Sequence, residues 1–211
     1  MEYVSIDIET TGLDEYSNQM IEFGAIIEDT HNPLSFEESK KFHAIIKNPQ
    51  NEYCGNPIAL AMNQRIFKIL ADRMKINEDD YDARVRFDTK HNIVDEEHFV
   101  EAFYLWCSLN LTNKPKHSQD KVKFIAAGKN FGKFDLQFLN RYVEWNEKFE
   151  VHHRSIDPGS IFWRPLEDKS LPSLSTCLER VGENTEVAHD AIQDAWQVIL
   201  ALRGGNNYGA D

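Results

Sequence analysis

An α/β fold, with a mixed five-stranded sheet flanked by helices, is what this chain predicts. Three observations carry the expectation. Three apolar segments rich in Ile, Val and Phe follow one another at the start of the chain. Segments with helical periodicity come next, and two further strand-like segments lie between helices. Successive neighbouring strands followed by helix-separated ones mix antiparallel with parallel pairing. The 211 residues suffice for one domain with a sizeable core, and 41% apolar with 27% charged residues is ordinary for a globular chain.

The elements can be placed in order. Val4 to Glu9, Met20 to Glu28 and Lys40 to Ile46 are the first three strands, with a turn at Asp29-Thr30-His31-Asn32-Pro33. Asn56-Pro57 introduces a helix from Ile58 to Leu70, on which Ile58, Met62, Ile66 and Ile69/Leu70 recur at helical spacing. Asp72 to Val94 is polar, acidic and weakly periodic, and reads as a solvated loop or an insertion; the whole acidic insertion is placed at about residues 72–120. Within it, Glu96 to Leu109 forms a helix with Phe99, Phe103 and Trp106 on one stripe. Val122 to Ala127 and His152 to Ile156 are the fourth and fifth strands, separated by a helix from Asp135 to about Trp145. A short helix over Leu171 to Leu178 and a final one over Ala191 to Leu202 follow. Arg203-Gly204-Gly205 ends the fold and leaves residues 204–211 as a flexible tail.

Bulk properties narrow the function. The chain enters its first strand at once, leaving no room for a signal peptide, and no apolar stretch reaches the roughly 18 residues of a membrane span. Cys54, Cys107 and Cys177 are few, far apart and odd in number, which points to reduced thiols in the cytoplasm. A net charge of −12 argues against tight binding along a long nucleic acid. The charge is uneven, however. Asp79-Asp80 and Asp95-Glu96-Glu97 lie in the acidic stretch, whereas Lys129, Lys133, Arg141, His152, His153, Arg154 and Arg164 make the later part near neutral.

Asp7 and Glu9 stand two apart in an apolar strand, so both carboxylates point to one face. Two like charges there have no packing role, and a divalent cation is the simplest compensation. Asp135 opens a helix, where it also reads as an N-cap. His189 and Asp194 flank the start of the last helix, and singly each also reads as a capping or surface residue.

Taken together, the Asp7-Ile8-Glu9-Thr10-Thr11-Gly12-Leu13 run, the Asn130-Phe131-Gly132-Lys133-Phe134-Asp135 run and His189-x-Ala191-x-x-Asp194 resemble, in that order, the DEDDh family of DnaQ-like 3′→5′ exonucleases. The resemblance implies an RNase H-like fold and two metal ions, Mg2+ or Mn2+. Asp7 would bridge both metals, Glu9 and Asp194 would bind one, and Asp135 the other. His189 would serve as general base, a task imidazole suits near neutral pH. It implies substrate contacts from Thr10, Thr11, Gly12 and Leu13, with Leu13 as a wedge beside the terminal base, and from Asn130 and Phe131. Phe131 or Phe134 could offer a stacking face, and Phe134 could equally be core. The implied partner is the 3′ end of a single strand, DNA or RNA, or a short oligonucleotide, met by a monomer or homodimer without a membrane. The C-terminal region shows no polymerase-binding extension, which suggests a stand-alone enzyme. A catalytically silent binding or regulatory module of the same fold is the alternative. An aspartyl-phosphate phosphatase fits Glu9 and His189 poorly.

Overall fold

The computed structural model describes residues 1–117, 120–185 and 189–209. Strands β1 (Glu2–Thr10), β2 (Met20–Asp29) and β3 (Lys40–Lys47) form an antiparallel meander. Helices α1 (Pro57–Met62), α2 (Gln64–Met74) and α3 (Tyr81–His91) precede strand β4 (Ile93–Asp95) and helix α4 (Glu96–Asn110). Strands β5 (Val122–Phe124) and β6 (Ala126–Ala127) lead to α5 (Asp135–Leu139), α6 (Val143–Lys148) and β7 (Phe149–Val151). Helices α7 (Pro158–Phe162), α8 (Leu174–Val181) and α9 (Ala191–Asn206) follow. The main sheet has five strands in the order β4-β3-β2-β1-β6, with β4 parallel to β3 and β6 parallel to β1. The mixed sheet flanked by helices is therefore present.

Its membership differs from expectation. The fifth main-sheet strand is β4, whose three residues are too few to show a pattern. Where His152 to Ile156 was expected, the strand is β7, paired with β5; His152 only donates its N–H to the Phe124 carbonyl, and Ile156 alone bridges Ala127.

Other differences have local causes. The Ile58–Leu70 helix is broken at Asn63, whose amide nitrogen donates to the carbonyls of Thr10 and Ala59. Ile66 and Leu70 are buried as expected, but Ile58 stands 71% exposed on α1. The stretch read as a loop contains α3, capped by Asp80 on the Ala83 N–H and tied to α2 by a two-bond pairing of Arg73 with Asp88. No residue of α3 is buried, so it has no apolar stripe to read. The Asp135 helix ends at Leu139 and resumes as α6. The last helix runs through Gly204 and Gly205 because both face neighbours closely. A Cβ on Gly204 would lie 2.6 Å from Val181 and one on Gly205 2.7 Å from Phe162. Tyr208, in the expected tail, shares a hydroxyl hydrogen bond of 2.8 Å with Tyr3.

Two of the apolar clusters lie on opposite faces of the sheet. Ile6 and Ile8 of β1 join Phe23, Phe99 and Phe103 on the α4 side. Tyr3 packs with Ala195, Val198 and Ile199 of α9 on the other, where the Ser5 hydroxyl donates to the Ala195 carbonyl at 2.7 Å. Strand alternation then aims Asp7 and Glu9 at the α9 side. Gly24, opposite Asp7, lets the start of α9 come down on the sheet, since a Cβ there would lie 2.4 Å from the Ala191 backbone.

Candidate active site

Four carboxylates converge at the end of β1. Asp7 and Glu9 come from β1, Asp135 from the first residue of α5 and Asp194 from the first turn of α9. Asp135 and Asp194 are buried, Asp7 and Glu9 partly so. Asp135 does not cap its own helix by its side chain. Instead its Oδ1 accepts the Ile8 N–H at 3.2 Å, which pins it beside Asp7 and Glu9. One ligand atom each of Glu9, His189 and Asp194 lies within 4.8 Å of the others. His189 has a left-handed backbone, φ 47°, and an exposed side chain.

Burial together with mutual repulsion makes these groups reluctant to ionise. Burial raises Asp7 well above the ordinary carboxylate range, and Asp135, Asp194 and Glu9 raise it further. Glu9 is pushed up to about 7 by burial and by Asp194, against the pull of the Asn63 amide. Burial lifts Asp135 to about 8 despite the N–H it accepts from Ile8. Asp194 reaches about 6 through burial, Asp190 and Glu22. Among the described residues, the Asp194 Oδ1 is buried without a hydrogen-bond partner. An orphaned buried oxygen beside neighbouring carboxylates fits a divalent cation, and carboxylate oxygens suit Mg2+ or Mn2+.

The substrate contacts expected around the first motif divide. Leu13 is 84% exposed at the tip of the β1–β2 turn, free to meet a ligand. Thr10 and Thr11 face inward. The Thr11 N–H goes to the Gln19 carbonyl, its hydroxyl to the Cys54 carbonyl and its carbonyl to the Asn56 N–H. The Thr10 hydroxyl donates to the Gly12 carbonyl at 2.6 Å, and Gly12 is itself buried against Asn18. These three residues shape the turn. Asn130 is exposed, with a left-handed φ of 64° and its N–H on Asp157 Oδ2. Phe131 is corrected: at 1% exposure it belongs to the core and offers no face to a base.

Three site residues escaped the sequence reading. Glu22, opposite Glu9 on β2, is fully buried and accepts from His43, Arg65 and the Ala191 N–H. Its place in an apolar strand was the one available signal, the same that marked Asp7. Asn63 bonds the Thr10 carbonyl, and Arg65 reaches both Glu22 and Asp190. Their partners lie far off in sequence, so nothing local marks them.

No protein-family model matches the chain, and no curated protein sequence does. Solved structures do. A structure of exonuclease I superposes with a TM-score of 0.61 at 16% identity over 99% of this chain and 41% of its own. E. coli exonuclease I in complex with a dT13 oligonucleotide gives 0.56 at 18% identity over 96% of this chain and 40% of its own. Cell-death related nuclease 4 (CRN-4) gives 0.59 at 16% identity over 98% of this chain and 64% of its own. This chain thus spans about two-fifths of the exonuclease I chains it matches. At such identities the likeness is one of architecture, and the chain has the RNase H-like fold that these nucleases share.

Proposed function

We propose that the protein is a metal-dependent 3′→5′ exonuclease that trims single-stranded DNA or RNA ends to nucleoside 5′-monophosphates. The observation carrying the reading is the convergence of Asp7, Glu9, Asp135 and Asp194, with His189 beside Glu9 and Asp194. Asp7, Glu9, Asp135 and Asp194 would hold two ions of Mg2+ or Mn2+. Bound there, such ions supply Lewis acidity at phosphorus and lower the pKa of a coordinated water. His189 takes the proton of the attacking water at an imidazole nitrogen, as its exposed ring near two carboxylates permits. The water oxygen bonds to phosphorus as the P–O3′ bond breaks; the departing O3′ takes a proton from solvent to become the 3′-hydroxyl of the shortened strand, and a nucleoside 5′-monophosphate is freed. Leu13, exposed at the turn tip, meets the terminal base. The oligonucleotide bound by the E. coli enzyme supports a single strand as substrate.

The test incubates 5′-labelled single-stranded DNA and RNA oligomers with the protein in Mg2+, Mn2+ or EDTA, beside Asp7→Ala. The expected result is a metal-dependent ladder that shortens from the 3′ end and vanishes in the variant. Binding without shortening by the folded protein would discard the reading in favour of a silent binding module.

A further inference from the structure

The Arg65 guanidinium, half-exposed on α2, reaches across to the start of α9. Its Nη2 donates to both oxygens of Glu22, at 2.7 and 2.8 Å, and lies 3.3 Å from Asp190 Oδ2. Glu22 in turn accepts the Ala191 N–H at 3.1 Å and bonds His43 Nε2 at 2.8 Å. Asp190 Oδ1 accepts the Gln193 N–H at 3.3 Å. The Ala191 backbone rests on Gly24 with no room for a methyl group. The two residues that follow His189 are therefore held from α2, from β2 and from α9 itself.

Among the described residues, His189 has no such hold of its own. Its ring is exposed and its backbone lies in the left-handed region, which a non-glycine residue occupies when its surroundings impose it. The direction of the imidazole is set by the backbone it grows from. We propose that Arg65 is a positioning residue: through Glu22 and Asp190 it fixes the turn that aims His189 at Glu9 and Asp194. The assignment rests on His189 being the general base of the proposed exonuclease. Arginine suits the task because one planar group can serve two carboxylates while staying charged. Two positions earlier, Asn63 bonds the Thr10 carbonyl, so the α1–α2 junction braces the turn bearing Leu13 as well.

The test compares Arg65→Met with the unaltered protein in three measurements: amide hydrogen exchange at Ala191, steady-state kinetics on a 5′-labelled oligomer, and Mn2+ affinity. The expected results are Ala191 exchange at least about tenfold faster and kcat lower by about 100-fold. KM and the Mn2+ Kd stay within about threefold. Asp190→Asn keeps an acceptor for the Gln193 N–H but loses the ionic partner; it gives a smaller loss in kcat with the melting temperature kept. Guanidinium ion added to Arg65→Ala restores part of kcat, which a general loss of folding would not allow. Unchanged exchange at Ala191, unchanged kcat, or a kcat loss matched by lost Mn2+ affinity would each overturn the assignment. Should the unaltered protein shorten no strand, the proposed exonuclease fails by itself. Ala191 exchange in Arg65→Met would still decide whether Arg65 clamps the turn.

Discussion

At the scale of single residues, the candidate site is a place where charge opposes folding. Asp194 at about 6 and Glu9 at about 7 sit well above the range carboxylates show in an unfolded chain. A raised carboxylate leaves the folded state richer in protons, so its contribution is favourable below the unfolded value and is lost as pH rises through the folded one. Each shift corresponds to roughly 3 kcal/mol at pH 8, without simple addition between neighbours. Metal-free protein in EDTA is therefore expected to melt about 5–10 °C lower at pH 8 than at pH 5. Mg2+ or Mn2+ should restore the loss, and Asp7→Asn should flatten the pH dependence; calorimetry across that window checks all three. Leu13, exposed at its turn tip, makes the opposite case: the proposed function gives it a task, and packing gives it none. Leu13→Ala is expected to leave the melting temperature unchanged and raise KM for an oligonucleotide about tenfold.

At the scale of elements, α9 is fastened at both ends. Its first turn brings Asp194 over β1, and its last turn carries Arg203, which donates two hydrogen bonds to Glu28 of β2 and one to the Leu34 carbonyl. Glu28 is buried, so removing its partner leaves a charge without compensation. Arg203→Met is expected to cost about 3–5 kcal/mol in urea unfolding. The helices also show where local pattern ran out. Ala191 to Leu202 was readable from its stripe, but Gly204-Gly205 read as a stop when it is close packing against Val181 and Phe162. The missed α3 has no buried face, and the missed β4 is three residues long. The three motifs were legible because each places its chemistry within a few residues. Glu22, Arg65 and Asp190 form one cluster only through tertiary contact, and Phe131 was misassigned because a motif position does not reveal which way a ring points.

At the scale of the whole molecule, the net charge of −12 limits how the proposed nucleic-acid substrate could be held. Much of the basic side-chain complement is already paired internally, as with Arg73 to Asp88, Arg180 to Asp168 and Arg203 to Glu28. Few phosphates can then be neutralised by side chains. Log affinity for a single-stranded oligomer is expected to fall against log salt with a slope of only about −1 to −2, which fluorescence anisotropy over a salt series measures. The arrangement of the site has a further outcome, in the order of assembly. Asp7 lies on the first strand and Asp194 on the last helix, so the carboxylate set closes only when segments separated by most of the chain have met. Such non-local closure forms late in folding. During synthesis, a chain halted anywhere before α9 emerges from the ribosome holds no complete set of four. If the protein is the exonuclease proposed above, the nascent chain is kept from attacking nucleic acid around it until its last helix has docked.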